Sequence, residues 1–169
     1  MKRNQAINAY TALLGVKLNK MSDEMTDVIL TNSIALASVH DQLGRVRDEL
    51  HKRTLGGFDN ERLTDYDNLV TKMNALNGQH KSAIQAVIND NYADVIKART
   101  MFVTAMDKWL NRDIDVDIQT MDRKNFVKAM KDSEQDITPA TLEAMSVLFR
   151  DFGANVADVN MDEIEDILK

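Results

Sequence analysis

Three sets of side chains have the composition of a working site. Asp113, Asp115 and Asp117 alternate through the run Asp-Ile-Asp-Val-Asp-Ile, the spacing that opens a calcium loop. The rest of that loop is missing. Ile118 stands where the turn needs Gly, and Lys124 where it needs a bidentate Glu. His40 and His51 are eleven residues apart, about three turns of one helix, too far to share a metal. His80 falls among apolar helical positions, which predicts a partly buried, hydrogen-bonded ring. Carboxylates occur in neighbouring pairs, Asp23/Glu24, Asp48/Glu49, Asp162/Glu163 and Glu165/Asp166. Adjacent residues on a helix point in different directions, so these pairs are not acid/base couples. The chain has no Cys, which excludes disulfides, thiolate metal sites and cysteine nucleophiles. It has no G-x-S-x-G, no phosphate-binding Gly loop and no H-E-x-x-H. Gly56-Gly57 lacks the Lys-Ser/Thr of a P-loop. The reading is a non-enzyme with no catalytic, cofactor or metal residues.

Charge points instead to contact. The net charge is −6, and it is unevenly spread. Residues 1–20 hold Lys2, Arg3, Lys17 and Lys20 and no acid, whereas residues 132–169 hold ten acids against Arg150 and Lys169. The ends attract each other, are simply solvated, or give the chain a polarity used in assembly. Arg45, Arg47, Lys52 and Arg53 cluster in one stretch, and Arg123, Lys124, Lys128 and Lys131 in another. Neither residues 2–20 nor the Arg45/Arg47/Lys52/Arg53 cluster is interleaved with stacking aromatics, and an acidic chain disfavours nonspecific nucleic-acid binding. The candidate interaction residues are Arg45, Arg47, Lys52, Arg53, Asp113, Asp115 and Asp117.

These residues need elements to carry them. The chain of 169 residues is 44% apolar and 5% aromatic, with one Pro, six Gly and ten Met, a composition for helices around a real core. The Met residues read as core filling, or as an adaptable binding surface. Residues 2–14 have helical spacing with Gly15 as the stop. In 22–54, Ile29, Leu36, Leu43 and Leu50 recur every seven residues. Met25, Val39 and Val46 fill the complementary seam, which Asn32 interrupts, so the stretch reads as a coiled-coil strip. Ser22 is the expected cap, and Gly56-Gly57 the stop, through positive φ. Residues 60–111 form one kinked helix or two meeting near 90, returning antiparallel against 22–54.

Residues 113–118 alternate as a strand, with Ile114, Val116 and Ile118 on one side. Residues 15–19 are the expected partner, which would put Lys17 near the aspartates. Asp122 caps a helix to about 131, Thr138-Pro139 starts another that Gly153 stops, and a last helix begins near 161 with Ile164, Ile167 and Leu168 on one side.

Three stretches, NQAINAYTALLGVKL, ILTNSIALASVHDQLGRVRDEL and FVTAMDKWLNRDIDVDIQTM, about a third of the chain, resemble a group of small helical proteins of tailed bacteriophages. Residues 59–92 extend beyond that pattern. The resemblance implies phage origin, no known catalytic residues and no assigned activity.

The expected fold is mainly α: a single helical domain over 1–169, with a long antiparallel hairpin over 22–111, a two-stranded β element (15–19 with 113–118) and short C-terminal helices over 119–169. The expected function is non-enzymatic protein–protein interaction in phage structure or assembly. Its partners are phage structural proteins or a second copy, with no cofactor. The alternative is a regulatory or nucleic-acid-associated helical module. No segment reaches the roughly 20 apolar residues of a membrane span, and the polar interruptions at Asn4, Gln5, Asn8 and Thr11 argue against a signal peptide. Host cytoplasm or virion is the expected location.

Overall fold

A computed structural model describes residues 1–150. The helix begun at Pro139 does not reach the expected stop at Gly153: it ends at Ala144 and gives way to a 3-10 turn and extended Phe149. The last helix near 161 and the acid pairs of that tail lie outside the described residues. The fold is mainly helical: α1 (Arg3–Leu14), α2 (Asp23–Leu55), α3 (Asn60–Asn74), α4 (Gly78–Asn91), α5 (Ala93–Leu110), α6 (Arg123–Asp132) and α7 (Pro139–Ala144), then a 3-10 turn at Ser146–Leu148. The chain forms two compact units, Met1–Asp41 with the chain from Arg112 onward, and Gln42–Asn111. Helix α2 contributes to both.

The first unit owns a dense apolar core. Ala6, Ile7, Ala9 and Leu13 of α1, Ile29, Leu36 and Val39 of α2, and Met121, Phe126, Met130, Met145, Leu148 and Phe149 are all buried. The Phe126 and Phe149 rings meet at 5.8 Å. Helix starts follow the local chemistry. The Asp122 carboxylate accepts the Asn125 N–H at 2.9 Å, the Thr138 hydroxyl accepts the Thr141 N–H at 3.1 Å, and Ser22 Oγ accepts the Met25 N–H at 3.3 Å.

The two-stranded β element of 15–19 with 113–118 is not formed. The alternation is present: Asp113, Asp115 and Asp117 are exposed, while Ile114, Val116 and Ile118 are half-buried. The ladder is not: one side-chain amide takes the Lys17 backbone in the first segment, and another takes the Gln119 backbone just beyond the second. Gln135 accepts the Lys17 N–H at 2.7 Å and donates to the Lys17 carbonyl at 2.6 Å. Asn32, fully buried, accepts the Gln119 N–H at 2.8 Å and donates to the Gln119 carbonyl at 2.8 Å. A primary amide presents one donor and one acceptor in a plane, as a strand neighbour does. What remains of β pairing is an antiparallel bridge of Lys2 with Asp113 and a parallel one of Met121 with Phe149. The first is closed by Ile114 N–H to the Met1 carbonyl at 2.8 Å and Arg3 N–H to the Arg112 carbonyl at 3.1 Å.

In the second unit, residues 60–110 form three helices rather than one or two. The joint near 90 is real and falls on Tyr92 (φ −129°, ψ 23°), the single residue between α4 and α5. Asn77-Gly78 makes a further break, with Gly78 at φ +63° opening α4, a conformation that suits a residue without Cβ. Gly56 closes α2 for a different reason from the expected positive φ: a Cβ there would lie 2.4 Å from the Lys52 carbonyl oxygen.

Asn32 separates two readings of α2. In a plain coiled-coil seam, Asn32→Leu stabilises. Here it leaves the Gln119 N–H and carbonyl without partners, and the expected loss is about 2–4 kcal/mol in urea unfolding. Equal or higher stability of the variant would contradict the structure.

Candidate functional site

The seam of α2 is covered unevenly. Ile29, Asn32, Leu36 and Val39 are buried, but Leu43, Val46 and Leu50 are only half-buried. The whole stretch 42–111 has four buried apolar residues, Leu55, Ile88, Val95 and Ala98. Helix α3 has none. Helix α5 explains the shortage. Val95, Ala98 and Phe102 form its inward line, yet Met101 (55% exposed) and Val103 (62%) stand on either flank, so its apolar arc is wider than what covers it. Phe102 sits edge-on to His51 of α2, ring centres 6.2 Å apart. Val87 of α4 and Leu76 are exposed as well.

Since α3 buries no side chain fully, a polar and aromatic clamp has to help hold it. Arg62 Nη2 of α3 reaches both Asp94 carboxylate oxygens at 2.7 and 3.0 Å and the Asn91 carbonyl at 3.1 Å. Its guanidinium lies 5.3 Å from the centre of the Tyr92 ring. The arrangement is reciprocal. Arg99 Nη2 of α5 donates to Asp67 at 2.8 Å and lies over Tyr66 at 5.5 Å, while Tyr66 and Tyr92 are 5.9 Å apart. Cation–π contact and ion pairing thus act on the same two arginines. The Arg62 hydrogen bond holds the Asp94 carboxyl below its ordinary value. The sequence carries a signal for this clamp: Arg62, Tyr66 and Asp67 fall within six residues, and Tyr92, Asp94 and Arg99 within eight. Their distance along the chain hides the pairing.

The charged residues expected to mediate contact are all exposed. Arg45, Arg47, Lys52 and Arg53 lie on α2 in the second unit, and Asp113, Asp115 and Asp117 along the extended segment of the first. The basic set is diluted by its neighbours. Arg53 Nε donates to Glu49 at 2.6 Å, and Arg47 Nε lies 3.5 Å from Asp48. That hydrogen bond from Arg53 lowers the Glu49 pKa. His80 is exposed, against the partly buried role its neighbours predict, because the face of α4 around it faces solvent. His40 is half-buried against Tyr10, ring centres 4.9 Å apart. Among the methionines, Met130 and Met145 are buried, Met73 and Met106 half-buried, and Met101 exposed.

Helix α6 borders a groove of about 790 Å³ lined by Arg123, Lys124, Lys128, Lys131 and Arg150, over Val127 and Leu142. The sequence showed the four helix cations; it did not show Arg150 or the apolar floor. Among the described residues no group of three His, Asp or Glu side chains converges to hold a metal ion. Among them, too, no helix is long and apolar enough to cross a membrane.

The clamp has a pH signature. Asp94 binds a proton less readily in the folded chain than in the unfolded one. Its contribution is therefore full above the ordinary aspartate value of 3.8 and is lost as pH falls through the lower folded value. Asp94→Asn is expected to lower Tm above that range, and the gap to the native chain closes in acid. A gap unchanged into strong acid would show that the ion pair does not act.

Comparison with protein-family models, with curated proteins and with solved structures finds no match to this chain.

Proposed function

We propose that the chain is a non-enzymatic protein–protein interaction protein, with a role in phage structure or assembly. The observation that carries this reading is the half-covered apolar surface of residues 42–111, four buried apolar side chains in the whole stretch. A unit of this size needs a core of its own or a partner that completes one. Leu43, Val46 and Leu50 continue the seam that the first half of α2 buries, and Met101 and Val103 widen the apolar arc of α5. A helix of another chain, laid antiparallel or parallel along these residues, would bury them. Long helices with a shared seam assemble by adding helices. The phage setting rests on the resemblance of the three stretches described above. The partner is a phage structural protein or a second copy of the chain.

The expected result in light scattering is a mass that rises with concentration above that of the monomer, or capture of a structural protein encoded by the same genome. Met101→Glu with Val103→Glu, both at exposed positions, should weaken that association about tenfold or more at unchanged helicity by circular dichroism. A strict monomer that captures no product of its source genome would remove the reading.

The reading of a regulatory or nucleic-acid-associated module has one feature in its favour, the cationic groove of α6. It requires retention on DNA or RNA that falls steeply with salt.

A further inference from the structure

The α6 groove is built for an anionic partner with an apolar stripe. Arg123, Lys124, Lys128 and Lys131 come from the helix, and Arg150 from the end of the described chain. None of these five makes an ion pair or a side-chain hydrogen bond among the described residues. Two acids share the lining, Asp122 and Asp132. Asp122 is already committed, since its carboxylate caps α6 by accepting the Asn125 N–H at 2.9 Å. Between the cations lies a half-buried apolar floor of Val127 and Leu142.

The complement is in the same chain and starts at the groove. Arg150 is both the last described residue and part of the lining. The nineteen residues that follow hold six acids, Asp151, Asp158, Asp162, Glu163, Glu165 and Asp166, against Lys169. In the sequence, Ile164, Ile167 and Leu168 recur at three- and four-residue spacing, and four of the six acids fill the positions between and beside them. An apolar stripe bordered by carboxylates matches an apolar floor bordered by ammonium and guanidinium groups. Reach is no obstacle, because an extended chain covers about 3.3 Å per residue.

We propose that the α6 groove is the seat of the chain's own acidic segment, residues 158–168. Individually weak, exposed ion pairs suffice for an intramolecular contact, because the tether holds the segment at roughly millimolar effective concentration. This seat is independent of the association proposed for residues 42–111, which uses other side chains.

Backbone amide exchange on the full chain tests it. At low salt, the amides of 161–168 should exchange about tenfold or more slowly than an unprotected chain, independent of protein concentration. The triple change Lys124→Glu, Lys128→Glu, Lys131→Glu lies at exposed positions and should abolish that protection with helicity unchanged. Adding Asp162→Lys, Glu163→Lys and Asp166→Lys to the same chain should restore it. Unprotected amides in the native chain would overturn the proposal, as would protection that survives charge reversal of the groove. Protection that disappears on dilution would overturn the same-chain assignment in favour of a second copy. Binding of a single-stranded DNA probe at low salt with 161–168 unprotected would hand the groove to nucleic acid.

Discussion

A single buried amide governs how this chain returns from its second unit to its first. The segment after Arg112 runs extended for about ten residues with no strand beside it, and its backbone groups need partners or water. Asn32, with no exposed surface, meets the Gln119 peptide with one donor and one acceptor. The contact is reciprocal in need. Without Gln119, the Asn32 amide would be an unsatisfied polar group among Ile29, Leu36 and the rest of the core; without Asn32, the Gln119 peptide would lose both of these hydrogen bonds. Met1 and Arg3 fix the near end of the segment through Ile114 and Arg112, and Leu148 fixes the far end by accepting the Met121 N–H at 2.8 Å. Helix α6, and with it the basic groove, starts two residues beyond that anchor, at Arg123.

Much of this architecture was legible because it is local. Ser22, Asp122 and Thr138-Pro139 mark helix starts through contacts within three residues, and all three are used. The strand-like alternation over 113–118 correctly separates exposed Asp from half-buried Ile and Val, since alternation follows from an extended backbone whether or not a sheet exists. What alternation does not carry is the identity of the partner. Asn32 reads from spacing as a flaw in an apolar seam, and Gln135 as an ordinary loop residue. Each is instead a substitute strand, 87 and 118 residues from the peptide it holds. The Arg62–Asp94 and Arg99–Asp67 pairs span 32 residues each and were hidden for the same reason. The break at Asn77-Gly78 was visible as a break, but not that it starts a separate helix.

The two units divide the labour of the sequence. The first has the denser core: small Ala6 and Ala9 are fully buried, and Phe126, Met145, Leu148 and Phe149 fill it, although Leu14, Leu30 and Ile34 stay exposed. The second relies on a reciprocal arginine–tyrosine–aspartate clamp and leaves the apolar arc of α5 partly open. Basic residues on α2 are interspersed with Asp48 and Glu49, whereas those of α6 face a common groove. The second unit thus buries few apolar side chains, while the first holds the denser core and, along α6, a concentration of positive charge.

The amide proton of Gln119 reports most directly on the contact from which this arrangement follows. Residues 115–118, immediately before it, make no backbone hydrogen bond among the described residues and serve as an internal control. The structure requires the Gln119 amide to exchange far more slowly than those of Asp115, Val116, Asp117 and Ile118. A Gln119 amide that exchanges as fast as its four neighbours would mean that Asn32 does not hold the returning chain.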